Sequence, residues 1–265
     1  MKKFFKILKL ILASLLTLFS LTVIYLLVFS AKDKRYDFAS HFQGVYLSQS
    51  MFEILKYQDP SNHQIYFEQS VPFNKRGYYK QGFQLLDKAV ELDPIMHLGY
   101  RGYMKLRFLR DFNGALKDFN RLDSLTPSFI DTPWGEDIDF LRGEAYYGLQ
   151  KYDEAMTCFE RSIENHGEDW VDIQTFVYTG LSEYKLGNYN KAKIEFEKAL
   201  NQSKYTVEAH LGLAKIYLEN GDLTKSELHL DKAENYFSYK RNDPYNEYLN
   251  EVYKGDITQL RNSGA

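Results

Sequence analysis

One sequence pattern is repeated three times between Leu141 and Ala233, and it constrains the fold more than any other feature. Each copy has a stretch with a small residue, a polar turn, and a second stretch with another small residue. A large apolar residue follows the second small residue by four positions, which places both on one helix face. The first small residues are Gly143, Gly180 and Ala214, the second are Ala155, Ala192 and Ser226, and the large residues are Phe159, Phe196 and Leu230. Each copy therefore predicts two amphipathic helices joined by a turn.

The last two copies lie 34 residues apart, from Ala192 to Ser226, and Gly-Asn or Gly-Asp turns separate their two helices. A 34-residue period is that of the tetratricopeptide repeat, and the chain resembles the tetratricopeptide repeat (TPR) family. One such hairpin cannot bury its apolar face alone, so hairpins stack on one another. We therefore expect an all-α fold, a TPR-type α-solenoid of about five helix hairpins plus a capping helix, preceded by one N-terminal transmembrane helix.

The pattern also predicts where the chain divides. Five TPR-like repeats are expected within residues 63–242, at 63–95, 96–129, 136–169, 173–206 and 207–240. Around them we expect a transmembrane signal anchor over 1–31, a membrane-proximal helix and linker over 32–62, and a capping helix and tail over 243–265. The membrane-proximal helix is predicted over 36–57, and Asp243 and Pro244 read as the N-cap and first residue of the capping helix. In the second repeat, Gly102 falls about one residue out of register.

The N-terminal segment predicts a membrane span. Residues 10–29 are uncharged and strongly apolar, and twenty helical residues span about 30 Å, the thickness of the hydrocarbon core of a bilayer. Four lysines precede this stretch. By the positive-inside rule, the N-terminus is expected in the cytoplasm and the body outside it, in the periplasm if the cell is Gram-negative.

A cleaved signal peptide is the alternative interpretation of this segment. Its apolar region is typically about 7–15 residues and ends at a small-x-small site. Here Ala31 is small, but Phe29, two positions earlier, is not, so we favour the anchor. The single cysteine lies far from this segment, which excludes a bacterial lipoprotein anchor.

Composition excludes several classes of function. The formal net charge is −3, and the first 31 residues contribute four lysines and no acid, so the remaining chain carries −7. A mildly acidic body argues against a nucleic-acid partner. A lone cysteine, Cys158, excludes an intramolecular disulfide and a cysteine-type zinc site, and its place in a repeat beside an aromatic residue indicates a small core residue.

The sequence holds no motif for catalysis. None of the six histidines pairs with another at the i, i+4 spacing of a helical metal site, and no phosphate-binding loop or nucleophile elbow is present. The acidic residues Glu136, Asp137 and Asp139 stand near a helix start, where the helix dipole accounts for them. We therefore expect no enzymatic activity and no cofactor.

Two tryptophans, Trp134 and Trp170, lie at junctions between repeats. Each either wedges between successive helix pairs and sets their stacking angle, or serves as an exposed anchor for a partner. We favour the wedge because tryptophan is usually mostly buried.

The family resemblance implies a groove lined by the first helix of each repeat. Carried onto this chain, the groove positions that we select are Phe67, Asn74, Lys75, Tyr100, Arg101, Arg107, Phe140, Glu144, Tyr147, Tyr178, Tyr184, Lys185 and Lys215. Aromatic rings beside cationic side chains suit an extended peptide or a partner helix. Alternatively, several of these tyrosines pack between neighbouring helices and expose only the hydroxyl.

Two functions follow as expectations. The first is a membrane-tethered scaffold that binds a protein or peptide, itself membrane-associated, while residues 10–29 contact the lipid bilayer. Its setting would be cell-envelope assembly, secretion or quality control. The second is a protein, or cryptic enzyme, that binds a glycan or cell-wall fragment, because an aromatic groove also stacks sugars.

Overall fold

A computed structural model describes residues 2–240 and 248–264, and within these residues every regular element is helical. The α-helices are α1 (Lys2–Ile24), α2 (Lys32–His41), α3 (Tyr46–Gln58), α4 (His63–Lys75), α5 (Tyr79–Leu92), α6 (Pro94–Met104), α7 (Phe112–Leu125), α8 (Ile138–Gly148), α9 (Tyr152–His166), α10 (Ile173–Lys185), α11 (Tyr189–Gln202), α12 (Val207–Glu219), α13 (Leu223–Tyr236) and α14 (Lys254–Ser263). The expected all-α class is confirmed. The chain divides into two compact units, Met1–His97 and Leu98–Ala265, which are described separately.

The first unit begins with an apolar helix. Residues 3–29 form one helical stretch, α1 with a π-helical end at Tyr25–Phe29, that is long and apolar enough to cross a bilayer. Membrane anchors and signal sequences both have these properties. None of its most apolar stretch is buried in the protein.

The helix predicted over 36–57 is two helices, α2 and α3, separated by a turn at 42–45. Gly44 lies in this turn, and the guanidinium Nη2 of Arg76 donates a hydrogen bond to its carbonyl oxygen at 2.7 Å. A Cβ at Gly44 would lie 2.8 Å from the same Nη2. The bend lets Met51 and Phe52 of α3 pack with Ala39 of α2 in a small buried core.

The hairpins of the second unit follow the small-and-large pattern of the sequence. A Cβ at Gly143 of α8 would lie 2.3 Å from Cε1 of Phe159 on α9, and one at Gly180 of α10 would lie 2.8 Å from Cδ1 of Phe196 on α11. Each glycine therefore admits a ring directly against the backbone of the facing helix. Cys158 is buried beside Phe159, and burial raises the pKa of its thiol, which confirms its interpretation as a core residue.

The irregular register of the second repeat has a structural cause. Gly102 is packed like the other glycines, since a Cβ there would lie 2.6 Å from Cε1 of Phe119. It precedes Ala115 by 13 residues, whereas Gly143 precedes Ala155 by 12. A π-helical turn at Lys105–Leu109 follows α6, and a π turn accommodates one extra residue. The register shift is therefore absorbed within the first helix, and the packing of the hairpin is preserved.

The prediction that the two tryptophans are buried between helix pairs is wrong. Trp134 is 58% exposed and Trp170 is 86% exposed. The residue next to each one fills the junction instead: Pro133 is buried, with its ring packed close to Gly99, and Val171 is 4% exposed. Because these smaller neighbours occupy the interior, the indole rings lie on the surface.

The C-terminal helix α14 begins at Lys254, and residues 248–253 before it are not helical. The expected start of the capping helix at Asp243 and Pro244 lies outside the described residues. The guanidinium of Arg261 on α14 forms ion pairs with Asp231 and Glu234 of α13, at 2.9 and 2.8 Å. These contacts fix α14 against the last hairpin.

We predict that Gly143→Ala lowers the free energy of unfolding by about 1–3 kcal/mol, because the added methyl group overlaps the fully buried ring of Phe159. The measurement is urea unfolding of the full chain in detergent micelles. Gly255→Ala is the matched control, since a Cβ there meets nothing within 4 Å. Equal stability of Gly143→Ala and the wild-type chain would show that the close approach of α8 and α9 does not depend on glycine.

Candidate functional site

Three side chains from successive first helices meet inside the second unit. Nε of Arg107, on the π turn after α6, donates to Oε2 of Glu144 on α8 at 2.8 Å. The hydroxyl of Tyr178 on α10 donates to Oε1 of the same carboxylate at 2.6 Å. Nη2 of Arg107 also donates to Oε2 of Glu136 at 2.6 Å. The side chains of Arg107 and Glu144 are 0% exposed, so the charges meet away from water. We call these four residues the Arg107 network.

The network places two carboxyl groups on one guanidinium. Burial raises the pKa of Glu136 to about 7, although Arg107 opposes this shift. Burial likewise raises the pKa of Glu144, against the opposing effects of Arg107 and the Tyr178 hydroxyl. For Arg107, burial acts to lower the pKa, but Glu144 and Glu136 outweigh it and raise the pKa further. The arginine therefore remains charged, and Glu136, with a pKa of about 7, changes protonation near neutral pH.

A pocket of about 490 Å³ lies on the same side of the unit. Its wall from the first helices consists of Tyr147, Leu181, Tyr184, Lys185, Glu208, Leu211, Gly212 and Lys215. Burial lowers the pKa of the Lys215 ammonium, and the neighbouring charge of Lys185 lowers it further. The first helices thus offer two mutually repelling ammonium groups beside half-buried rings, while Asp256 and Glu219 favour the charged form of Lys215. A further carboxylate placed between the two ammonium groups would favour their charged forms.

The opposite wall of this pocket comes from the C-terminal part of the chain. It includes Asn250, Glu251, Val252 and Asp256. Residues 248–253, which we call the tail segment, precede α14 and do not form a helix.

Three of the thirteen predicted groove residues belong to the first unit. The ring of Phe67 stacks on that of His97, with the ring centroids 4.9 Å apart. Asn74 is buried beside Gly82, where a Cβ would collide with the Asn74 side chain. Lys75 is exposed.

The other ten belong to the second unit and divide into three groups. Those that line the pocket are Tyr147, Tyr184, Lys185 and Lys215. Those in or beside the Arg107 network are Arg107, Glu144, Tyr178 and Phe140, and the Phe140 ring lies 6.0 Å from that of Tyr178. The remaining two lie elsewhere: Tyr100 is buried with its ring 5.0 Å from Trp134, and Arg101 binds Asp118 of α7 through two hydrogen bonds.

Burial changes what several of these residues are able to do. Phe140 is 1% exposed and Tyr178 is 0% exposed, so neither ring offers a surface to a partner. Burial raises the pKa of Tyr147 to about 12, and burial together with Glu219 raises the pKa of Tyr184. The tyrosines of the pocket are therefore neutral hydrogen-bonding groups at physiological pH.

Sequence reasoning missed the role of Glu136 and the tail segment. The position of Glu136 near a helix start is explained by the helix dipole, and nothing local reveals its arginine partner 29 residues earlier. The tail segment carries an apolar stripe that fits a capping helix, so its non-helical course over the first helices has no local signal. Among the described residues, no group of three or more His, Cys, Asp or Glu side chains is placed to hold a metal ion.

Comparison with known families identifies the class of protein. Residues 140–165 and 179–247 match models of the tetratricopeptide repeat family. Together with the repeating helix hairpins of the second unit, these matches identify the chain as a tetratricopeptide repeat protein.

Solved structures with a similar fold include PilW, described as a widely conserved type IV pilus biogenesis factor. It is 13% identical, with a TM-score of 0.62, over 79% of this chain and 95% of PilW. Pseudomonas aeruginosa PilF is 13% identical with a TM-score of 0.58, over 80% and 100% of the two chains. YrrB, described as a TPR protein with an unusual peptide-binding site, is 16% identical with a TM-score of 0.53, over 70% and 91%. No curated protein sequence matches the chain. These likenesses establish the TPR fold.

We predict that Glu136→Gln flattens the dependence of stability on pH. In the folded protein the pKa of Glu136 is about 7, above the ordinary value of 4.5, so the folded state keeps a proton that the unfolded state has lost. The resulting stabilisation is fully present below about pH 4.5 and is lost as the pH rises to about 7. A shift of this size corresponds to about 3 kcal/mol.

The measurement is urea unfolding of the full chain in micelles between pH 5 and pH 8. The wild-type protein should lose stability across this range, and Glu136→Gln should lose less. Glu164→Gln, at an exposed position on α9, is the control and should follow the wild-type curve. Parallel curves for wild-type and Glu136→Gln proteins would contradict the assigned protonation.

Proposed function

We propose that this protein is a membrane-tethered TPR scaffold that binds a segment of a partner protein along the first helices of residues 98–265. TPR proteins as a family are interaction modules, and the groove of this chain supplies the chemistry for a peptide. It offers half-buried tyrosine rings for apolar or aromatic side chains and lysine ammonium groups for a carboxylate.

The observation that carries the proposal is the composition of the pocket wall. Tyr147, Tyr184, Lys185 and Lys215 come from three successive first helices and border one cavity of about 490 Å³. A cavity of this size takes a few side chains of a peptide. Rings held by packing cost little conformational entropy on binding, and a partly desolvated lysine gains more from a carboxylate than an exposed one.

The rigidity of the groove supports the same function. The Arg107 network joins the π turn after α6 to α8 and α10 through buried hydrogen bonds between charged groups. Such a network holds the first helices at fixed spacing before a partner arrives, and a preorganised surface loses less free energy to ordering on binding.

The apolar helix at the N-terminus is the observation that supports a membrane tether. An anchor over residues 10–29 would confine the repeats to the membrane surface and raise the effective concentration of a membrane-associated partner. With the N-terminus in the cytoplasm, the repeats would work outside it, in cell-envelope assembly, secretion or quality control. PilW, a structural neighbour described as a pilus biogenesis factor, is an example of this fold in such work, and YrrB is an example of a TPR peptide site.

The glycan-binding alternative has less support. Sugar stacking requires the exposed face of an aromatic ring, whereas Phe140 and Tyr178 are fully buried. The hydroxyl of Tyr184 is already donated to Glu219. The rings that remain are partly covered and stand beside lysines, an arrangement better suited to a peptide carboxylate.

The test is site-specific photo-crosslinking in intact cells. A photoreactive phenylalanine replaces Tyr184 in the groove, and the control replaces Leu228, which is 51% exposed on the second helix α13. We expect a discrete crosslinked protein from position 184, none from position 228, and at least a fivefold reduction when Lys185 and Lys215 are both changed to Glu. Equal crosslinking from both positions, or none from position 184, would refute binding in the groove.

A second arm tests the tether. The same crosslinking is measured in a chain lacking residues 2–29, with matched expression. A membrane-associated partner predicts a drop in crosslinking, because the local concentration is lost. Unchanged crosslinking would remain consistent with binding in the groove and would contradict a role for the anchor.

A further inference from the structure

The tail segment makes one specific contact after another along the first helices. The ring of Tyr248 covers the guanidinium of Arg107, with 4.2 Å between Cζ and the ring centroid. The backbone N–H of Leu249 donates to the Tyr178 hydroxyl at 2.8 Å. These two contacts place an aromatic side chain and a main-chain donor directly on the Arg107 network.

The contacts continue toward the pocket. Nδ2 of Asn250 donates to Oε1 of Gln174 on α10 at 3.1 Å. Nζ of Lys240 donates to Oε1 of Glu251 at 2.6 Å and is 2.8 Å from Oε1 of Glu208 on α12. Val252 is 7% exposed and packs in an apolar cluster with Val207 and Leu211 of α12. Consecutive residues are thus held by a ring contact, a main-chain hydrogen bond, an amide pair, an ion pair and an apolar site.

Capping the last repeat does not explain this arrangement. A cap has to cover only the exposed face of the final hairpin, and α14 does so with Ile257 and Leu260. The tail segment instead reaches Arg107 in the second predicted repeat and Tyr178 in the fourth. Its hydrogen bonds to Tyr178 and Gln174 join residues 71 and 76 positions apart. The segment therefore lies where the family groove receives a ligand.

The tail segment fills the groove only in part. The pocket of about 490 Å³ lies between the segment and the first helices, so Lys185 and Lys215 border open space. A second chain therefore has a place to begin binding while the segment is still in position.

We propose that the tail segment is an internal occupant of the groove, and that a partner binds by replacing it with a segment of the same chemistry. This inference rests on the proposed function and specifies the partner as an acidic peptide. Like the tail segment, it would supply an aromatic residue for the Arg107 guanidinium and a backbone N–H for Tyr178. In addition, it would supply a carboxylate for Lys185 and Lys215, which the tail segment leaves beside open space. In the free protein the tail segment occupies the groove. The apparent affinity for a partner is therefore the intrinsic affinity multiplied by the fraction of molecules whose groove is vacant.

The test measures binding of a fluorescent peptide with the sequence of residues 246–254 to the full chain in micelles. We compare the wild-type chain with Tyr248→Ala/Glu251→Ala, which removes two tail contacts and leaves α14 intact. The variant should bind the peptide at least tenfold more tightly, because its own tail no longer competes. Adding Gln174→Ala to this variant should weaken binding again. Tyr46→Ala, at a position 94% exposed on α3, is the control and should match the wild type.

Equal peptide affinity of the wild-type chain and the tail variant, or no binding to the tail variant, would overturn the inference. Hydrogen exchange on the wild-type chain provides a second test, which does not depend on whether the variant folds. Hydrogen exchange at the Leu249 amide should be slowed in the wild-type chain, since Tyr178 is fully buried, and rapid exchange would contradict tail docking.

The two proposals fail in distinguishable ways. Crosslinking from position 184 in cells together with equal peptide affinities would retain the scaffold function and reject the internal occupant. Tighter peptide binding by the tail variant without any crosslinked protein in cells would support the internal occupant and reject the proposed function.

Discussion

The hydrogen-bonded ion pair between Arg107 and Glu144 is the interaction on which the rest of the groove depends. Both side chains are fully buried, and a buried charge without a partner costs several kcal/mol. Each residue therefore holds the other in place, and through them the π turn after α6 is fixed to α8. Tyr178 extends the connection to α10 by donating its hydroxyl to the second oxygen of Glu144. Three successive first helices are thereby joined at one point, in addition to the apolar packing within each hairpin.

Local backbone geometry makes this ion pair possible. Arg107 belongs to the π turn that absorbs the extra residue of the second repeat. π turns are rare and often occur at functional sites, and here the turn carries the one arginine of the network. Meanwhile, the close approach of Gly102 to Phe119 keeps the hairpin packed as in the later repeats. The second repeat thus keeps the apolar contacts of the family and adds a buried charge, on which Tyr248 then stacks.

Much of the fold could be predicted from the sequence, since the glycine and phenylalanine spacings directly encode which helix faces meet. Pocket-lining residues such as Tyr184 and Lys215 are among the positions that the family resemblance implies. Residues whose partners are distant in sequence could not be predicted in this way. The role of Glu136 depends on an arginine in another repeat, and that of Tyr248 depends on a non-helical path set by tertiary contacts. Trp134 and Trp170 were expected inside because of their size, but Pro133 and Val171 occupy the junctions, and a residue type alone does not reveal which neighbour is buried.

The central claim is that Arg107 and Glu144 stabilise the groove as a pair, and a double-mutant cycle tests it most directly. Unfolding free energies are measured in micelles for the wild-type chain, Arg107→Met, Glu144→Leu and the double variant. Arg107→Met should lose about 3–5 kcal/mol, because it leaves the buried Glu144 carboxyl group without its cation. Glu144→Leu should lose less, because Arg107 keeps its hydrogen bond to Glu136. The double variant should be at least about 2 kcal/mol more stable than the sum of the single losses predicts. Losses that add within about 0.5 kcal/mol would contradict the claim.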